Sequence, residues 1–347
     1  MIIDVHGHVS APESLYAYKA NLISHRGAHG RGGVVASDDQ LREAVEGGGG
    51  AFGLSHLAHL DEAGIDLQVL SPRPYTMMHS EEPPRIVEWF CEETNNVIKR
   101  VCDLYPTRFR AMAGLPQSPS TDPSTWVGEL RRCVGELGFV GALLNPDPKE
   151  GQGPPPPPLG DRYWYPVYEA LCELDVPALV HSAGCRPPAR ESYSLHFILE
   201  ETVAVASLLA SDVARDFPEL KLIVSHGGGA VPYQVGRFLA GASRGGTSYR
   251  DKLRTLWFDT CLYTRDAIEL LVRTVGADRC CFGSEKPGTG SYRNPDTGRW
   301  YDDIKVLVDE IDWLDDDERA QIFEANAAGL FGLGVAGAAP GDGAHRP

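Results

Sequence analysis

The sequence predicts an α/β fold: a (β/α)8 barrel, the TIM-barrel architecture, with an insertion after its first strand. Three observations carry this. Eight short apolar, β-branched runs recur along the chain, each of strand length. Helical patterns separate the runs from the second onward, as a parallel sheet requires. Histidines and a glutamate stand at the ends of four runs, and in such a barrel every strand end opens on one mouth. An open doubly wound sheet is the alternative; eight regular units favour closure.

Run one is IIDVHGH (2–8). Residues 9–60 follow as the insertion, with a short helix near 38–46 and a Gly-rich stretch at Gly47–Gly50. Its expected role is a lid or a subunit contact. LQVLSPR (67–73) is run two, and a helix over 84–105 starts behind a proline. FRAMAGLP (109–116) leads to a helix over 123–137, announced by Asp-Pro at 122–123. FVGALLNP (139–146) is followed by an extended loop, 151–162, with the run Pro154–Pro158. That loop is expected to be a stiff segment over the mouth rather than a ligand for an SH3-type groove. A helix over 163–175 precedes PALVHSA (177–183). Another over 196–216, stopped by Pro218, precedes LKLIVSHGG (220–228). A helix over 231–241 leads to LWFDTCL (256–262), and one over 265–275 to CCFGSE (280–285). Helices over 302–311 and 316–330 complete a single metal-dependent barrel domain, 1–333. The Gly/Ala-rich segment 334–347 is expected to be a disordered tail.

Composition excludes several classes. The 347 residues are 42% hydrophobic and 23% charged, ordinary for a soluble globular protein with a large core. The formal net charge is −16 and no Lys/Arg cluster stands out, so a nucleic-acid partner is not expected. Neither a membrane-spanning apolar run nor a signal peptide is expected. The eight cysteines contain no C-x-x-C and one vicinal pair, Cys280–Cys281, which fits reduced thiols and a cytoplasmic setting.

The chemistry lies at the run ends. His6 and His8 share one strand face because alternate residues do. His181 ends run five, His226 run six and Glu285 run eight. A single strand histidine is ordinarily a satisfied polar residue, and H-x-H alone is a weak signal. Four strand ends converging on one bowl make a ligand set for Zn2+ or a similar divalent ion such as Mn2+. Such an ion brings the pKa of a bound water toward ~7. His196, one loop after His181, reaches the same mouth in this scheme. "HGGGA" (226–230) and "GASRG" (241–245) mimic serine-hydrolase motifs. The segment before that serine, however, reads as helix, and only His345 follows it.

His6-x-His8, His181, His226 and a carboxylate after strand eight resemble the amidohydrolase superfamily, in particular the group of aminocarboxymuconate-semialdehyde decarboxylase. That group normally ends on an aspartate; "GSEKPG" (283–288) places Glu285 there, as in the 4-oxalomesaconate hydratases of protocatechuate and gallate 4,5-cleavage. "LPQSP" (115–119), "LNPDP" (144–148), "HGGGAVPYQVGRF" (226–238), "FDTCLY" (258–263) and "NPDTGRWYDDIK" (294–305) agree. The resemblance runs from residue 1 to about residue 330. It implies a zinc ion on His6, His8, His181 and Glu285, and proton transfer by His226 and Glu285. It implies that Arg73 holds a substrate carboxylate, with Arg293 the nearest candidate for a second arginine from a neighbouring subunit. A homodimer or larger assembly follows, with the insertion at the contact. The chain departs from the pattern at Phe197, where a tyrosine is expected, with Arg186 and Arg190 as replacement cations.

The implied reaction adds water to the conjugated double bond of an unsaturated oxo-carboxylic acid such as 4-oxalomesaconate. A non-oxidative decarboxylase and a C–C or amide hydrolase share the same metal and histidines and stand as alternatives. A non-catalytic zinc-binding protein is the rival from another class.

Overall fold

The computed structural model describes residues 1–48, 53–186, 192–243 and 249–334. Beyond its first residue the expected tail, 334–347, lies outside the described residues, as do Gly49, Gly50, Arg190, Arg244 and Gly245.

All eight runs form strands, each shorter than its run. They are β1 (Ile3–His8), β2 (Leu67–Ser71), β3 (Phe109–Ala113), β4 (Gly141–Leu144), β5 (Ala178–Val180), β6 (Leu222–Val224), β7 (Trp257–Asp259) and β8 (Cys280–Cys281). Neighbours pair in parallel and in chain order from β1 to β8. Two backbone bonds bring the last turn of the sheet against the first. Val5 N–H donates to the Phe282 carbonyl at 2.9 Å, and Glu285 N–H to the His6 carbonyl at 2.8 Å. The architecture is the (β/α)8 barrel.

The helices are α1 (Glu13–His25), α2 (Asp38–Glu46), α3 (His56–Ala63), α4 (Pro84–Leu104), α5 (Val127–Gly135), α6 (Tyr165–Glu173) and α7 (Tyr193–Ala210). Then come α8 (Val213–Asp216), α9 (Val231–Ser243), α10 (Tyr249–Leu253), α11 (Arg265–Val275), α12 (Ile304–Asp309), α13 (Asp316–Ala320) and α14 (Asn326–Leu330). Strand residues serve two cores because side chains alternate across a sheet. Cys280 joins the layer between barrel and helices, and Cys281 the barrel interior with Ile3, Val5, Val69, Met112 and Leu179. Ala327, Ala328 and Phe331 pack into that interior. Phe331 lies against Gly141, the first residue of β4, so this end of the barrel is plugged and the strand C-termini face the open one.

Among its described residues the insertion holds three helices where the sequence pattern predicts one. The predicted α2 carries a capping box, Ser37 with Gln40. The unpredicted α1 has Pro12 at its N-cap with no side-chain cap, so the start signal is missing. Tertiary burial of Leu15, Tyr18 and Leu22 holds it instead. Among the described residues one helix, α7, has the length and mean hydropathy, 1.2, of a membrane span. Its inner face packs on the barrel through Phe197, Ala204, Val205 and Leu208.

Candidate active site

β1 presents the first two histidines through an irregularity. Its register against β2 shifts between Asp4 and Gly7, which turns the strand end toward the axis. Gly7 has no alternative there. A Cβ would lie 2.3 Å from the Gln68 Cδ, so only glycine fits between His6 and His8. The two rings sit 5.0 Å apart, centroid to centroid, and each lies about as far from His181, at 4.9 and 5.1 Å.

Every imidazole is oriented through its Nδ1. His6 Nδ1 meets Asp259 Oδ2 at 2.6 Å, His8 Nδ1 meets Ser71 Oγ at 2.8 Å, and His181 Nδ1 meets the Ser182 carbonyl at 2.6 Å. With Nδ1 so engaged, the Nε2 lone pair is free to bind a metal. The Nε2 atoms of His6, His8 and His181 are buried and have no hydrogen-bond partner. Three buried, unpaired acceptors are costly in an apo site and fit a cation. Donor atoms of His6, His181, His226 and Glu285 lie within 4.8 Å of one another. His8 Nε2 stands 3.8 Å from Glu285 Oε1, on the rim of that group.

Electrostatics sorts these groups. Burial, joined by the neighbouring His6, lowers His8 to about 4 and leaves it neutral, as a ligand must be. Burial likewise drives His181 well below its usual value. Burial pulls His226 down, but the Glu201 carboxylate, bonded to Nδ1 at 2.9 Å, outweighs this and pushes it up to about 10. Burial would raise Glu285; the facing histidines, His8 foremost, hold it well below the usual carboxylate range. His226 and Glu285 both adopt positive φ, 49° and 60°. Such strain in non-glycine residues gathers at functional sites. The three glycines after His226 make a tight turn. A Cβ on Gly228 would sit 2.7 Å from Phe258, so packing explains "HGGG" without an oxyanion role.

The remaining predicted residues divide. Arg73 reaches the mouth and donates to the Pro287 carbonyl at 3.2 Å. Arg293 does not reach it within one chain: it is exposed, pairs with Glu62 at 3.0 Å and lies over the Trp300 ring. His196, one helical position before Phe197, is buried with its Nε2 3.6 Å from Asp147 Oδ2. Phe197 instead stacks on His226. Arg186 is tied to Glu150 and Glu81.

Four residues escaped the sequence reading. Asp259 and Glu201 orient His6 and His226; Tyr263 donates to Glu285 Oε2 at 2.8 Å; Asp4 joins Gln68 and Ser284 beneath the mouth. Glu201 had a signal: a carboxylate on the buried stripe Phe197, Glu201, Ala204, Val205 and Leu208 of an apolar helix. Asp259 sits at a strand end, the same signal that singled out His181.

The mouth holds two adjoining cavities. One, about 390 Å³, is lined by Phe197, Ile198, His226, Leu262 and Glu285; the other, about 300 Å³, by His8, Arg73, Tyr75, Tyr193 and Glu285. A cavity of about 390 Å³ at the opposite end, around Trp257 and Arg254, gathers none of the predicted residues.

The amidohydrolase family model matches residues 3–333. The chain belongs to the amidohydrolase family. This amidohydrolase is 38% identical over 341 residues to the 2-keto-4-carboxy-3-hexenedioate hydratase of Sphingobium sp., covering 95% of the chain and 96% of that protein. The crystal structure of 4-oxalomesaconate hydratase from Rhodopseudomonas palustris superposes with a TM-score of 0.85 at 36% identity, covering 96% of both chains. The γ-resorcylate decarboxylase of Rhizobium sp. is 27% identical over 300 residues, 80% of the chain and 86% of that protein.

Proposed function

We propose that this amidohydrolase is a metal-dependent hydro-lyase that adds water to the conjugated double bond of an unsaturated oxo-carboxylic acid such as 4-oxalomesaconate. The observation that carries it is Glu285 at the end of the barrel, beside three imidazoles with unpaired Nε2 atoms, together with 38% identity to a hydratase over nearly the whole chain. The working unit is the barrel domain, residues 1–333.

His6, His8, His181 and Glu285 would hold the ion. Their three nitrogens and one carboxylate favour zinc, with manganese as the alternative. When bound, the ion supplies activated water at neutral pH. Glu285, kept ionised, takes the proton as water attacks. His226, kept protonated by Glu201, donates to the enolate carbon. Arg73 offers a planar pair of donors to a substrate carboxylate. His196 supports the mouth from behind through Asp147.

A homo-oligomer is part of the proposal, and Arg293 enters it only as a contribution from a neighbouring copy. The outward stripe Leu195, Leu199 and Val203 of α7 is exposed at helical spacing and carries no charge, which supports α7 as a contact surface beside the insertion. No disulfide joins the cysteines among the described residues, in keeping with a reducing, cytoplasmic setting.

The test is a mass spectrum of the product formed from 4-oxalomesaconate by the zinc-loaded protein. Gain of one water, lost in His226→Asn, is the expected result. Loss of CO2 moves the protein to the decarboxylases.

A further inference from the structure

The loop that follows Glu285 roofs the mouth. Gly288, Thr289 and Tyr292 line the smaller cavity, and Thr289, Gly290 and Tyr301 the larger. The loop doubles back on itself: Tyr301 N–H donates to the Tyr292 carbonyl at 3.1 Å, and Asn294 N–H to the Arg299 carbonyl at 2.7 Å. Its far end is exposed at Arg293 and Arg299.

A buried charge joins the two near ends. Lys286 is fully buried. Its Nζ donates to Asp302 Oδ1 at 2.7 Å and to Asp303 Oδ1 at 3.1 Å, and it lies over the Trp300 ring. The main chain of Lys286 is fixed to the barrel, because Gln68 Nε2 donates to its carbonyl at 2.7 Å and its N–H donates to Ser284 Oγ at 3.1 Å. Ser291 carries the link through the loop, accepting from Gly288 N–H at 2.9 Å and donating to Asp302. Gly290 is wedged at the seam: a Cβ there would lie 2.8 Å from Asp302 and from Tyr263.

A buried ammonium–carboxylate pair is a poor source of stability. Desolvation offsets its attraction, and apolar side chains of similar volume are often as stable or more so. What the pair supplies is geometry, since its donors must meet fixed acceptors. We propose that Lys286 is a positioning residue: through Asp302 it fixes the roof formed by loop 286–303 and so sets the affinity of the mouth for its acid substrate. The identity of that substrate rests on the hydratase reading above.

The test is the double variant Lys286→Met/Asp302→Leu of the zinc-loaded full chain. Its zinc content is expected to match the wild type and its melting temperature to be no lower. Trypsin cutting after Arg293 or Arg299, identified by fragment mass, is expected to be about ten-fold faster or more, since cleavage tracks the population of the opened loop. KM for 4-oxalomesaconate is expected to rise about ten-fold or more with kcat within about two-fold, the pattern of lost uniform binding. Ser291→Ala, which leaves both charges in place, is expected to move cutting and KM in the same direction by about three-fold.

A wild-type KM in the double variant overturns the proposal even if the loop is cut faster, because the pair is then packing alone. If the double variant does not fold, wild-type KM and cutting in Ser291→Ala overturn it. Failure of the wild type to hydrate 4-oxalomesaconate with zinc bound overturns the hydratase reading instead. The role of Lys286 is then decided by the cutting rate, and an unchanged rate overturns it too.

Discussion

His226 and Glu201 share a buried hydrogen bond at 2.9 Å, and Glu201 is fully buried on α7. The carboxylate is a positioning residue: it keeps the imidazole charged and turned toward the mouth. Glu201→Gln preserves the shape and removes the charge. It is expected to lower kcat by about 10²-fold or more, the scale of a lost general acid. Metal content, measured by atomic emission, should stay at the wild-type level. Asp259 plays the corresponding part behind His6. Asp259→Asn should weaken metal affinity by about 10–100-fold in a chelator competition titration. Two histidines outside the centre contribute to acid stability. Burial lowers His56 to about 3 and His79 to about 4, from an ordinary 6.5. Both are neutral in the fold and protonate first in the unfolded chain. Their contribution is therefore complete above pH 6.5 and is lost as the pH falls toward those lowered values. Urea melts between pH 7 and 4.5 should show stability falling by up to ~1.4 kcal/mol per pH unit for each. His56→Gln should flatten that slope.

At the scale of elements, the strand ends place the chemistry by close approach as much as by side-chain type. Gly7 separates His6 from His8 because Gln68 occupies the space a Cβ needs. Gln68 itself bonds His56, Asp4 and the Lys286 carbonyl, so it cannot step aside cheaply. Gly7→Ala is expected to cost about 1–3 kcal/mol, the range for overpacking a filled core. Equilibrium urea unfolding measures it. The resulting shift of β1 should also lower metal occupancy, which a neutral change at an exposed loop glycine would leave alone. The insertion shows the other side of element-scale reading. α2 announces itself with a capping box, whereas α1 begins behind Pro12 with nothing to mark it. Only contact with the rest of the fold makes α1 a helix.

For the whole molecule, the metal is expected to be a structural clamp as well as a reagent. Held by the proposed ligands it would tie the ends of β1, β5 and β8, and the bond from Glu285 N–H to the His6 carbonyl is where the sheet closes. Removing it with a chelator should lower the melting temperature, and zinc at about 100 times its Kd should restore about 2.7 kcal/mol. Differential scanning calorimetry with and without zinc reads this directly. An unchanged melting temperature at full metal loading would argue against a clamp at the barrel seam. The sequence made the barrel and most of its mouth legible. Apolar runs of strand length and helical spacing are local patterns, and His6, His8, His181, His226 and Glu285 stand out because polar residues interrupt those runs at one end. The tertiary structure alone decided what lies behind and between them. Asp259 reaches His6 across 253 positions, and Glu201 reaches His226 across 25, through packing that no local pattern encodes. It also decided that Arg293 turns to Glu62 and that His196 pairs with Asp147. The physical reason is one of range. Residue type and strand period are written within a few positions. Closure of the sheet, and with it every contact across the barrel seam, depends on how all eight strands twist and meet.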